Sequence, residues 1–498
     1  MPQNPHTSGT PLAANIAVME AVFHPRSVAV VGASANPDSP GHDYVRSLLD
    51  FGYRGAIYPV NPRAAEILGL KAYPRLRDVP GTVDHVICCI PAEGILDLVD
   101  ECREKGARVL QLFTGRFSET GRREGARLED ELRRRAKAAG LRVIGPNCMG
   151  VYYPAGGLSF RPDLPREAGG IALLSQSGNN AVELVQHAAA RGLRFGKVVS
   201  YGNAADLDES DFLAYLAGDA ETEVIGAYVE GVSDGQRFLA ALRAAAAAKP
   251  VVVLKAGRTA AGARSAVSHT AALAGTHRLW SGALRQAGAV QADTSEEAID
   301  MLVAFAFLRP PRIRRTGRPA YRTGRRVGIV GGGGGRSVQA ADACEEAGLR
   351  VVPLPDSIRR ALREKAPHLW DWVGNPVDQS ILAGGPVSGA AILEMMAASR
   401  AFDVLIANVG EDWILGRPDA RQRLEHVTAR FVEVASRCGK PLAFVLGPAD
   451  SPEEWRWRAV EGARQRLAAA RLAVYPTIER AAWAVRRWLT YLEERGEW

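Results

Sequence analysis

A chain of 498 residues with 47% hydrophobic and 23% charged content is too long for one core, and its composition excludes the disordered, fibrous and membrane-spanning classes. No apolar run reaches the roughly 20 residues a spanning helix needs, and the opening MPQNPHTSGTPLAAN lacks a basic start before an apolar stretch, so residues 1–20 read as a disordered tail of a cytoplasmic protein. The formal charge of +7 is concentrated in residues 309–326, which hold eight arginines and no acid, so the remainder is near −1. A neutral body with one basic linker, poor in aromatics, does not read as a nucleic-acid binder.

The chain then divides into three α/β units at 21–150, 151–308 and 325–498, with residues 309–324 as an Arg/Pro-rich linker. In the first, strand-like runs at Ser27–Val31, Ala56–Val60, His85–Ile90, Arg108–Leu112 and Leu141–Ile144 alternate with helical stretches such as Ala92–Lys105 and Glu119–Ala139. That alternation predicts a parallel sheet with helices on both faces and ligands at the carboxyl ends of the strands. The first such end, Gly32-Ala33-Ser34, is a glycine-containing turn leading to a helix, a place for phosphate. It is not the dinucleotide fingerprint, since Ser34 replaces the second glycine, and the second strand ends Val60-Asn61-Pro62-Arg63 where a ribose-binding acid is expected. Arg63 suits an extra phosphate, as on NADP or on the 3′-phosphate of coenzyme A. Pro91 ends the third strand and Asn147 lies in the turn closing the last.

The second unit restarts with Gly170–Leu174 running into Ser175-Gln176-Ser177-Gly178-Asn179-Asn180 and a helix over Ala181–Arg191. Ser177, Gly178 and Asn179 form a second candidate anion turn. Strands Gly196–Ser200, Val224–Val229 and Pro250–Leu254 follow, and Glu230 ends the third of these four runs. The strand-end rule puts Glu230 on the same rim as Ser177 and as the loop after VVVLK. That loop, GRTAAGARSAVSHTAALAG, is built of small residues, with Arg258 and Arg264 as its only charges and His269 as its one imidazole. A carboxylate facing an imidazole fixes its tautomer and raises the basicity of the other nitrogen. The third unit opens RVGIVGGGGGRS, with Gly333, Gly334 and Gly335 at a helix start, and continues with strands near Val351, Val404–Asn408, Leu442–Leu446 and Ala473–Tyr475. Six cysteines, none in a CxxC pair, read as reduced core residues, and no His/Cys cluster has metal-ligand spacing.

The segments PRSVAVVGAS with VNPR, SQSGN, YVEGV, GRTAAGARSAVSHTAALAG and the glycine turn before AADACEEAGL together resemble the α subunit of the NDP-forming acyl-CoA synthetases, relatives of succinyl-CoA synthetase. They fall in that family's order over nearly the whole chain, and the SHT-x-ALAG stretch is the most specific of them. The resemblance implies a CoA-binding Rossmann-like domain over 21–150, then two flavodoxin-like parallel-sheet domains. It implies coenzyme A at Gly32, Ala33, Ser34, Arg63, Pro91 and Asn147, a phosphohistidine at His269 with Glu230 as its carboxylate, and phosphate held at Ser177, Gly178, Asn179, Gly333, Gly334 and Gly335. The family's ATP-grasp module finds no room in the three α/β units. A partner β chain is therefore expected to bring it, with ATP/ADP and Mg, in a heterotetramer. Asn179-Asn180 and Ala271 depart from the family's usual small apolar residues and glycine, which leaves the small carboxylic acid substrate open. The alternatives are a non-catalytic CoA- or acyl-CoA-binding regulatory protein of the same fold, and an NADP-dependent oxidoreductase, for which no hydride-handling residues stand out.

Overall fold

The computed structural model describes residues 11–262, 264, 277–308, 324–382, 385–447 and 451–496. Two compact units emerge, one formed by the chain up to Ala189 with Arg194–Ala298, the other by Ala190–Leu193 with Ile299–Trp498. Among the described residues the first unit holds two large sheets and a two-stranded antiparallel pair, Glu66–Ile67 with Leu70–Lys71, and the second holds one large sheet.

The first sheet is built from β1 (Ser27–Val31), β2 (Ala56–Val60), β3 (His85–Cys88), β4 (Val109–Leu112) and β5 (Arg142–Ile144), in the order β2-β1-β3-β4-β5 and parallel throughout. β1, β3 and β4 are buried along their whole length, as strands covered on both faces must be. The second sheet contains β6 (Gly150–Tyr152), β7 (Ile171–Ser175), β8 (Phe195–Ser200), β9 (Val224–Val229), β10 (Val251–Lys255) and β11 (Val290–Ala292), in the order β11-β10-β9-β7-β8-β6. Only β6 runs antiparallel in it, against β8. The third sheet, in the second unit, is β12 (Arg326–Val330), β13 (Arg350–Val351), β14 (Val404–Asn408), β15 (Leu442–Val445) and β16 (Ala473–Tyr475), ordered β13-β12-β14-β15-β16. Setting β6 aside, all three large sheets share one strand order, second-first-third-fourth-fifth, the doubly wound arrangement whose topological switch point lies between first and third strands.

One expectation is corrected. Residues 11–20, expected to be part of a disordered tail, belong to helix α1 (Pro11–Phe23). Met19, Ala21, Val22 and Phe23 are buried, and Phe23 stacks on Tyr215 with ring centroids 5.4 Å apart, so apolar burial holds the segment. The composition of its first ten residues hid an apolar second half.

His85, in the centre of the first sheet, is 2% exposed. Burial pushes its imidazole down to about 4, against the opposing pull of Gln111, the Val22 carbonyl and Asp84. The folded chain thus takes up this proton later than the unfolded chain does on acidification. Its contribution to stability is complete above the ordinary histidine value near 6.5 and is lost as pH falls from there towards 4, by up to about 3 kcal/mol. Thermal unfolding followed from pH 7 to pH 4.5 is expected to show a steeper fall for the native chain than for His85→Met.

Candidate functional site

The carboxyl end of β1 turns at Gly32, whose φ is +89°. A Cβ there would lie 2.9 Å from the Cys89 carbonyl carbon, so only glycine fits where the chain passes the end of β3. Helix α2 (Pro40–Asp50) begins later than the sequence suggests, because Ser39 caps it, accepting from the His42 N–H, and Pro40 occupies its first turn. Residues 32–39 are therefore an extended turn at the switch point. Asn61 ties this turn to the end of β2: its Nδ2 donates to the Ala33 carbonyl at 2.8 Å and its Oδ1 accepts from the Arg63 and Ala64 N–H groups. Ser34 Oγ accepts from the Asn36 N–H at 3.0 Å. Arg63 and Pro91 are exposed, and Arg63 makes no ion pair among the described residues. The arrangement is an open backbone turn with a free guanidinium beside it, chemistry that fits a phosphorylated ligand.

A second site lies within the same unit, at the carboxyl ends of both its sheets. A cavity of about 400 Å³ is lined by Asn147, Gln176, Ser177, Gly178, Asn179 and Glu230, together with Phe113, Gly115, Cys148, Met149, Gly202 and Asn203. Helix α3 (Gly178–Ala190) starts here, three residues earlier than its apolar periodicity suggests. Ser177 Oγ accepts from the Asn180 N–H at 3.4 Å, and Ser175 Oγ bridges by accepting from the Ser177 N–H and donating to the Ser177 carbonyl. At Gly178 a Cβ would come 2.6 Å from Met149 Cγ, so glycine lets the loop after β5 close on the helix start.

Glu230 follows β9 directly and is 7% exposed. Its carboxylate accepts from the Tyr228 hydroxyl at 3.1 Å, and Gln176 Oε1 accepts from the backbone N–H groups of Glu230 and Gly231. Lys255, at the end of β10, donates to the Glu230 carbonyl at 2.7 Å. Burial pushes the Cys148 thiol up to about 12, and its Sγ donates to the Leu112 carbonyl at 3.3 Å, so the thiol form is favoured.

The structure thus brings Glu230, Ser177, Gly178, Asn179 and Asn147 to one cavity, and places Gly32, Ala33, Ser34, Arg63 and Pro91 at the switch point of the first sheet. Asn147, grouped by sequence with the first-sheet residues, lines the Glu230 cavity, with its backbone in the left-handed region that asparagine tolerates (φ 56°). His269 lies outside the described residues. Gly333, Gly334 and Gly335 belong to the second unit, where Gly333 is the N-cap of helix α4 (Gly334–Glu346) and a separate cavity of about 360 Å³ is lined by Arg336, Asn408 and Glu411 among others. Burial raises the Glu411 carboxyl above its ordinary range.

Sequence reasoning assigned no role to Gln176, Tyr228, Lys255, Gly202 or Asn203. Asn203 Nδ2 donates to Glu119 at 2.7 Å and to Glu129 at 2.9 Å, and its N–H donates to the Pro146 carbonyl at 3.0 Å, so it joins loops of both sheets. The Gly-Asn pair after a strand is a turn signal, but nothing in it points to partners some 60 to 85 residues earlier.

Two nucleotide-type sheets share a carboxyl-end cavity lined by a capped helix start and a buried, fixed carboxylate, the geometry of an α/β protein with an anion-handling site. The family models agree: "CoA binding domain" matches residues 26–154 and "Succinyl-CoA ligase like flavodoxin domain" matches residues 168–305. The chain is 36% identical over 387 residues to the α subunit of acetate–CoA ligase [ADP-forming] I of Pyrococcus furiosus, covering 76% of this chain and 80% of that one. It is 35% identical over 363 residues to 4-hydroxybutyrate–CoA ligase [ADP-forming] of Nitrosopumilus maritimus, covering 72% of this chain but only 50% of that longer one. The solved structure of a Candidatus Korarchaeum cryptofilum dinucleotide-forming acetyl-coenzyme A synthetase 1, in complex with phosphate and ADP, superposes with a TM-score of 0.79 at 30% identity, covering 96% of this chain and 98% of that one. The chain belongs to the α subunits of the ADP-forming acyl-CoA synthetases. Among the readings weighed above, that membership favours the enzyme, an acid–thiol ligase, over a non-catalytic CoA-binding protein.

Proposed function

We propose that this chain is the CoA-binding, phosphohistidine-carrying subunit of an enzyme catalysing acid + CoA + ATP ⇌ acyl-CoA + ADP + phosphate. The observation that carries the reading is the fixed Glu230 carboxylate sharing one cavity with the capped start of helix α3, while β10, which pairs with β9, ends at Lys255 ahead of His269 in the sequence. Coenzyme A supplies the thiol that takes up the acyl group. Its phosphates are assigned to the backbone turn Gly32–Ser34 and to Arg63. Phosphate and acyl-CoA give acyl phosphate and free CoA. A ring nitrogen of His269 then attacks phosphorus, the bond to the acyl oxygen breaks, and the carboxylate leaves. Glu230 holds the proton on the other ring nitrogen and thereby steadies the charged imidazole. The helix start at Gly178 is assigned to the phosphoryl oxygens, worth a fraction to about 2 kcal/mol for a nearby anion. The phosphoryl group passes next to ADP.

Nucleotide and Mg are assigned to a separate ATP-grasp β chain. The subunit naming of the Pyrococcus relative and the half of the longer Nitrosopumilus relative that this chain does not match both support a second component. The substrate is assigned to the small carboxylic acids, the class of the acetate and 4-hydroxybutyrate for which those two relatives are named.

The test uses the full chain with and without a candidate ATP-grasp partner. Calorimetry is expected to show CoA binding by this chain alone and far weaker NAD binding. Acyl-CoA formation from acid, ATP and CoA is expected only when the partner is added. Tighter NAD than CoA binding would overturn the ligand assignment. Turnover by the isolated chain, with contamination excluded, would overturn the division of labour.

A further inference from the structure

Lys255 is one of the largest fully buried side chains in the protein, 1% exposed, although it carries an ammonium. It stands opposite Val229 in the parallel pairing of β9 and β10, one residue before Glu230 in register. Its Nζ donates to the Glu230 carbonyl at 2.7 Å and to the Ala256 carbonyl, and lies 4.9 Å from the centre of the Trp280 ring. Burial lowers the affinity of this amine for its proton, and the charge on Glu230 works the other way.

Burying an ammonium costs several kcal/mol unless its partners repay it, and two neutral carbonyls could be satisfied by an uncharged donor. The position explains the choice of residue. Ala256 is the first residue after β10, the fixed root of the segment that leads to His269. Glu230 is the carboxylate beside which a phosphoryl anion must come to rest. Two anions brought together repel each other, and a fixed cation bonded to the backbone of the carboxylate's own residue, close enough to feel its charge, offsets part of that repulsion. Gln176, by accepting from the N–H groups of Glu230 and Gly231, holds the other side of the same peptide segment. Glu230 is thus clamped through its N–H, its carbonyl and its side chain before any ligand arrives.

We infer that Lys255 is the charge-balancing and positioning residue of the phosphoryl site, tying Glu230 to Ala256 at the root of the segment that carries His269. The inference rests on the phosphohistidine reading of His269. The experiment labels the full chain, partner present, from acyl-CoA and radioactive phosphate, and compares the native protein with Lys255→Met and Lys255→Arg, using CoA calorimetry as the control for folding. Lys255→Met is expected to bind CoA within twofold of the native chain and to lose at least tenfold in label, while Lys255→Arg, which keeps the charge and its N–H donors, recovers a third or more of it. Lys255→Met labelling within twofold of native overturns the inference, as does an equal loss in both variants, which would mark a packing role. Absence of label in the native protein instead removes the phosphohistidine reading, and this inference with it. Should Lys255→Met fail to bind CoA, Trp280→Leu decides: it keeps the ammonium but removes the ring face under it, so a threefold or greater loss of label supports the role and native labelling overturns it.

Discussion

His269→Ala is expected to abolish a phosphoryl label that is acid-labile and base-stable, as a phosphoramidate is. Label is supplied from acyl-CoA and radioactive phosphate, so no nucleotide is needed, and the readout isolates the half-reaction assigned to this chain. Glu230→Gln is expected to keep the fold, because the amide occupies nearly the same volume and can still accept from the Tyr228 hydroxyl and leave the Gln176 contacts to backbone intact. It loses the negative charge that steadies a charged imidazole. Removing a charge partner in a buried site costs on the order of 2–3 kcal/mol, so labelling should drop by roughly 30- to 150-fold, with CoA binding unchanged. Label that survives His269→Ala would leave the chemistry standing on another residue. No label in any form, even with the partner, would return the chain to the non-catalytic CoA-binding reading.

How much of this was legible in the sequence depends on the range of the interaction concerned. Alternation of apolar runs with helical stretches located the strands, often to the residue, as at Ser27–Val31, Val224–Val229 and Val404–Asn408. It could not show that three unrelated stretches share one strand order, because order is set by which crossovers pass over which face, and no local pattern records that. Strand ends are local, so Glu230 and Ser177 could be placed on one rim. The convergence of Asn147 on that rim could not, since it depends on how the loop after β5 meets the loop after β8. Lys255 was hidden for a different reason: at the end of VVVLK it reads as a solvated strand terminus, and only the ring of Trp280 and two carbonyls folding over it reveal a buried ammonium. Helix α1 was missed because an opening rich in Pro, Ser, Thr and Asn outweighed the apolar Met19–Phe23 end.

Gly202→Ala is expected to be among the most damaging single-methyl changes in the chain. Gly202 follows β8 with φ +54°, a region where a side chain is strained. A Cβ there would collide with the carbonyl oxygens of both Pro146 and Asn147, which are backbone atoms and cannot rotate away. The neighbouring hydrogen bonds explain why the chain cannot simply back off. The N–H groups of Asn203, Ala205 and Leu207 donate to the carbonyls of Pro146, Gly145 and Val143 at 3.0, 2.9 and 3.1 Å. Arg142 and the Val143 N–H hold the Asp206 carboxylate at 2.8 Å. The segments 201–207 and 142–147 are therefore fastened along their length, and relieving the clash means breaking several of these bonds. Overpacking of this kind typically costs 1–3 kcal/mol, and a forced left-handed alanine adds about 1 more. A loss of roughly 2–4 kcal/mol should appear as a clear fall in melting temperature. Because Gly202 and Asn147 both line the Glu230 cavity, labelling of His269 should fall further than stability alone explains when measured well below the melting point, while CoA binding at the Gly32 turn is retained. A melting temperature unchanged from the native chain would mean that the two loops part easily, and that the cavity is not built by their contact.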